Sequence, residues 1–189
     1  MQRFFLIVAL LISLPISLQA EEMPMSLPWE QKLSKSFHEI PGFKYWYGDM
    51  EWGEMIFVGN FQKLDAEVQI SFVQKMISKA TLILGPGGID LMGCRNTFLN
   101  VVDLLKKKYG PWKYAKTTES EIKEDLFYTH ICTPVRVGVH VEEIRWETKK
   151  FLIVAYLFGD GEDIFIEVDY YYRPLQKIKK SNKGILKKL

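Results

Sequence analysis

Three histidines, two cysteines and a late run of carboxylates are the residues through which this chain could do chemistry. His38, His130 and His140 fall in no H-E-x-x-H pattern, and only His130 with Cys132 stands at an i, i+2 spacing that would put both side chains on one side of a strand. One such pair is far short of a metal centre. No metal site and no cofactor is therefore expected. No serine lies in G-x-S-x-G and Cys94 lacks a predictable base, so no catalytic residue is assigned.

The carboxylates Asp160, Glu162, Asp163, Glu167 and Asp169 cluster around one hairpin. They leave one enzymatic reading open, a hydrolase-like envelope enzyme that works through two of them in a concave pocket. The turn Gly159-Asp160-Gly161-Glu162-Asp163 offers oxygen ligands for Ca²⁺ but lacks the loop and terminal glutamate of an EF-hand. Gly85-Pro86-Gly87-Gly88 precedes a helix, as a phosphate cradle would. It has neither G-x-x-x-x-G-K-[ST] nor G-x-G-x-x-G spacing, and its proline removes an N–H, so it reads as a wide turn.

A different chemistry is offered between residues 43 and 52. Tyr45, Trp46, Tyr47 and Trp52 follow Phe43 closely and are interleaved with Asp49, Glu51 and Glu54. Such residues most often pack a core and its rim. Aromatic rings with polar tips beside carboxylates also make a face for a sugar or another protein, and these four are the candidate binding residues.

The address of the chain sets the redox context. Arg3, the apolar run Phe4 to Leu14, Pro15 and the small residue Ala20 before Glu21-Glu22 form a secretory signal peptide, with cleavage expected after Ala20. The run is shorter than the roughly 20 residues a spanning helix needs. Export to the periplasm or beyond follows. Cys94 and Cys132 then pair most economically as a disulfide, closing a loop of roughly 40 residues for on the order of 4 kcal/mol in the chain-entropy model. Two free thiols are the alternative.

Of the 189 residues, 21–172 are expected to form a single α+β domain. Residues 173–189 carry seven basic side chains and no acidic one, a basic and flexible tail on an acidic body. A solvated end is its plain role, and contact with anionic surfaces a further one. The lysines elsewhere do not make a nucleic-acid site, and no nucleic-acid partner is expected.

The elements that must position these residues are mainly antiparallel β-meanders with two helices packed on the sheet. Pro28 opens a helix over about 28–38, in which Trp29, Leu33 and Phe37 recur at i, i+4 and i+8. Strands follow over 55–61, 66–73 and 77–84, separated by turns at Lys63-Leu64-Asp65 and Gln74-Lys75-Met76. In the middle one, Val68, Ile70 and Phe72 alternate with Glu67, Gln69 and Ser71.

The second helix, about 97–109, is capped by Asn96 or Thr97 and buries Phe98, Val101, Val102, Leu105 and Tyr109. Gly110 and Pro111 end it. Trp112 to Ala115 is a short strand, and Thr118 with Glu121 opens a short acidic helix. Pro134 starts an alternating strand whose parity breaks at Glu142-Glu143. The chain then enters a meander over 142–172. Its strand 151–158 is apolar on both parities and therefore central, while 163–172, with Glu167 and Asp169 on one parity, lies nearer an edge or a wetted surface.

Helix plus meander occurs twice, which suggests an internal duplication of architecture. The stretch Phe98 to Pro111 closing in Lys-Tyr-Gly-Pro, then Ile144-Arg145-Trp146, then Val168-Asp169-Tyr170-Tyr171, resembles small secreted bacterial domains of uncharacterised family. Their helix-and-meander plan is similar to that of the β-lactamase inhibitor protein group. The resemblance covers about 55–172 and implies a periplasmic binding or inhibitory module. The expected function is a secreted or periplasmic, non-enzymatic binding domain whose partner is a protein or a cell-envelope component.

Overall fold

A computed structural model describes residues 24–34, 37–91, 93–117, 132–136 and 142–176. The expected signal peptide, the acidic helix opened at Thr118, His130, His140 and the tail beyond 176 lie outside the described residues. No helix among the described residues is long and apolar enough to cross a membrane.

Among the described residues, nine antiparallel strands form one sheet. They are β1 (Glu39–Ile40), β2 (Phe43–Asp49), β3 (Glu54–Phe61), β4 (Leu64–Val73), β5 (Met76–Leu84), β6 (Tyr114–Thr117), β7 (Glu142–Glu147), β8 (Phe151–Gly159) and β9 (Ile164–Tyr172). Their order is β1-β2-β3-β4-β5-β9-β8-β7-β6. Two meanders, each built from neighbours in sequence, therefore join through β5 and β9. The fold is α+β, as the sequence predicts, and the meander is present twice.

Alternation fixes which side each residue takes. Met55 and Phe57 of β3 stand beside Ile70 and Val68 of β4, then Ala80 and Leu82 of β5, Tyr170 and Val168 of β9, Ile153 and Ala155 of β8, and Trp146 of β7. All of these are buried. The helix α1 (Cys94–Tyr109) contributes Phe98, Val101, Val102 and Leu105 to the same core cluster. Phe72 keeps the side of Val68 and Ile70 and packs against the core, but it is only half-buried, near the end of β4 and beyond a bulge whose extra residue is Ser78 of β5.

The helix expected over 28–38 is not formed: the described residues there make turns and extended chain, leading into β1. Three apolar residues at helical spacing are a weak driving force for so short a helix, and tertiary contacts outcompete it. Trp29 is fully buried, its ring edge-on to Phe151 at 5.0 Å and 6.3 Å from Tyr172. The Leu33 N–H bonds to the Lys75 carbonyl at 2.9 Å instead of to its own turn. The duplication thus lacks its first helix.

Other boundaries move for local reasons. Gly93, without a side-chain cap, precedes α1, and Thr97 donates back to the Gly93 carbonyl rather than capping. The turns of the first meander are Gln62-Lys63 and Gln74-Lys75, all four residues at positive φ, the two-residue geometry that normally calls for Asn or Gly. The short strand after α1 is Tyr114–Thr117 rather than 112–115.

Where Pro134 was expected to begin a strand, Cys132–Arg136 is a short helix, α2. A proline early in a helix lacks only an N–H that would have no partner there. Docking completes the choice, because Gly161 N–H bonds to the Arg136 carbonyl at 2.8 Å and Arg136 Nε donates to the Glu162 carbonyl at 2.9 Å. Strand β8 is central, as expected, but β9 is central too, paired to β5 and β8 and far from any edge. Residues 173–176 continue helically and bury Leu175, so the packed chain extends past 172.

Candidate functional site

The β2–β3 hairpin carries the largest exposed aromatics. Trp46 is 63% exposed, Tyr47 57% and Trp52 72%. Strict alternation would send Trp46 and Tyr47 to opposite faces. Instead the register shifts between Tyr45 and Tyr47, since Tyr45 pairs with Phe57 and Tyr47 with Ile56. Two residues oppose one, and such a bulge near a sheet edge re-aims side chains outward. Tyr47 and Trp52 then lie 5.9 Å apart, ring centre to ring centre.

The backbone beneath them is held in place. Gly48 has φ +103°, and a Cβ there would strike the Glu54 carbonyl, so this position is closed to other residues. The Tyr45 hydroxyl donates to the Gly48 carbonyl at 2.6 Å, and an Asp49 carboxylate oxygen accepts the Glu51 N–H. Asp49, Glu51 and Glu54 are all exposed on the same hairpin. Of the four candidate residues, three therefore reach solvent together. Tyr45 does not join them: it is half-buried, edge-on to His38 at 4.6 Å and to Phe57 at 5.8 Å.

The carboxylates do not converge as one site. Asp160 accepts the N–H groups of Glu162 and Asp163, which hold its carboxyl below the usual range, and so closes the β8–β9 turn. Glu167 and Asp169 lie instead on the polar side of β9. Asp169 is 2% exposed, yet one oxygen accepts from Thr81 at 2.7 Å and meets Lys79 Nζ at 2.7 Å, and the other accepts from Tyr171 at 2.6 Å. Burial first, then the neighbouring Asp169 charge, pushes Glu167 up to about 7. Burial and the bond to Asp169 also push the Tyr171 hydroxyl up.

A carboxyl poised near neutrality can move a proton. Here, however, the Asp169 oxygens are taken by protein donors, which describes a satisfied buried network. On the same face Arg145 pairs with Glu143 and lies 4.9 Å from the Tyr114 ring centre. Among the described residues no group of three or more His, Cys, Asp or Glu side chains could hold a metal ion.

The remaining motifs are structural. Cys94 and Cys132 form a disulfide that ties the first turn of α1 to α2, Cα to Cα 6.1 Å. In the glycine loop, the N–H groups of Gly85, Gly88 and Ile89 bond to the carbonyls of Asp65, Gly85 and Ile164, so they do not form an anion nest. The sequence marks Glu167 and Asp169 within the carboxylate cluster but not their partners Lys79 and Thr81, because Thr81 and Asp169 stand 88 positions apart. The matching i, i+2 polar pairs Lys79/Thr81 and Glu167/Asp169 were the only trace of that network. Compared with known proteins, the chain matches no family model, no curated protein and no solved structure.

Proposed function

We propose that this protein is an exported, non-enzymatic binding module that engages a protein or cell-envelope component through Trp46, Tyr47 and Trp52. The observation that carries this is the bulged hairpin, which holds three large aromatics in solvent on a backbone fixed by Gly48, Asp49 and the Tyr45 hydroxyl. Rigid aromatics beside carboxylates bind at low entropic cost. The disulfide suits an oxidising compartment, in keeping with a leader cleaved near Ala20. The resemblance to the helix-and-meander plan of the β-lactamase inhibitor protein group points the same way, toward a periplasmic binding or inhibitory role.

Co-sedimentation with isolated envelope fractions tests the proposal. The wild type should bind saturably, and Trp46→Ala with Trp52→Ala should weaken binding about ten-fold or more while the melting temperature stays within a few degrees. Equal binding by wild type and double variant would remove the aromatic surface from the account. The hydrolase alternative rests on the raised pKa of Glu167. It requires loss of a hydrolytic activity in Glu167→Gln, whereas the binding module keeps its envelope affinity in that variant.

A further inference from the structure

Among the described residues, the apolar side of the sheet opens beside α1. Where the C-terminal half of α1 passes the turns at the ends of β1 and β3, there is a groove of about 720 Å³, within the size range of small-molecule sites. Ile40, Phe43, Phe61, Leu82 and Leu104 give it an apolar lining, and Lys107 and Lys108 line it from the last turn of the helix. Leu104 is 37% exposed.

Among the polar residues lining the groove, Tyr170 is the buried one. Tyr170 sits on the apolar side of β9 between Ala80 and Ile153, and only 7% of its surface is exposed. Both following tyrosines have placed their hydroxyls: Tyr171 donates to Asp169 and Tyr172 to Glu30. The Tyr170 hydroxyl bonds to none of the described residues, and burial alone pushes its pKa up. The hydroxyl is not among the fully enclosed side-chain atoms that lack a partner, so it opens onto the groove, where an acceptor oxygen can take its hydrogen bond.

We infer that this groove binds a long-chain amphiphile with an anionic head, its chain on the apolar lining, its charge facing Lys107 and Lys108, and one of its oxygens accepting from the Tyr170 hydroxyl. The charge complementarity selects an acid over a neutral lipid. It also disfavours a second copy of the chain in the same groove, which would bring its own two lysines against these. None of Trp46, Tyr47 and Trp52 lines the groove, so this site and the aromatic surface stand or fall separately.

Titration of the purified protein with dansyl-undecanoate, followed by displacement with dodecanoate, dodecyl phosphate or dodecanol, tests the inference. Saturable fluorescence is expected, with displacement by both anions and, about ten-fold less effectively, by dodecanol. Tyr170→Phe keeps the ring and should weaken dye binding about two- to ten-fold, the value of one hydrogen bond, without lowering the melting temperature. Lys107→Glu should weaken it and flatten its salt dependence, while Trp46→Ala should leave it unchanged. The inference is overturned by an absence of saturable binding, by dodecanol competing as well as dodecanoate, or by dye affinity unchanged in Tyr170→Phe. A stable dimer that Leu104→Glu splits would overturn it as well, by assigning the groove to a second copy.

Discussion

On one side of β9, Ile164, Ile166 and Val168 are at most 1% exposed; on the other, Asp169 is 2% exposed. Asp169 reaches nearly the burial of the apolar row by different means, while Phe165, Glu167 and Tyr171 on its side are only half-buried. The apolar face excludes water with matching apolar rows from β3 through β8 and gains with area, at about 25 cal/mol per Å². The polar face has taken a carboxylate out of water and compensates it with Thr81, Lys79 and Tyr171. A buried charge of that kind adds little over an apolar substitute, yet it is costly to break, because removing one partner leaves the rest unsatisfied. The apolar face thus supplies stability, while on the polar face each partner of Asp169 is costly to remove.

Substitutions on the two faces separate these contributions. Phe57→Ala, on a fully buried ring of the apolar face, should cost about 3–5 kcal/mol through lost transfer energy and a cavity, measured by urea unfolding. A loss under about 1 kcal/mol would mean that this face is not the main source of stability.

On the polar face, Thr81→Val preserves shape but removes the donor to Asp169, and should cost about 1–3 kcal/mol. Thr81→Ser, which keeps the hydroxyl, should restore most of it. If both variants lose equally, packing and not the hydrogen bond is responsible.

The smallest effect concerns protons. Glu167 has a folded-state pKa raised from 4.5 to about 7, so between those values the folded state binds more protons than the unfolded one, and this group's contribution to stability is lost as pH rises through the window. Melting of the wild type between pH 5 and pH 8 should show that decline beside the other titrations. Glu167→Gln should flatten it; an identical pH profile in the variant would assign the decline to other groups.

Much of the apolar face was legible in the sequence because alternation and apolar runs are local. Val68 and Ile70, the stripe Phe98 to Leu105, and the all-apolar strand around Ile153 declare burial without knowledge of their neighbours. The helix over 28–38 was misread for the same local reason, since three residues at helical spacing say nothing of the slot between Phe151 and Tyr172 that Trp29 fills. The aromatic surface was half legible. Its composition marked Tyr45, Trp46, Tyr47 and Trp52 together, but the bulge after Tyr45 decided which of them face water.

By itself, then, the sequence determined an α+β protein of antiparallel meanders, the helix that ends at Gly110, and two cysteines able to pair. Those depend on periodicity, caps and residue type, which act over a few positions. Only the tertiary structure decided that β9 is central and not an edge, that Glu167 and Asp169 meet Lys79 and Thr81, and that a groove beside α1 leaves the Tyr170 hydroxyl without a partner among the described residues. Each of these depends on which strand lies beside which across a long stretch of chain, a choice made by the fit of whole faces that no local pattern encodes.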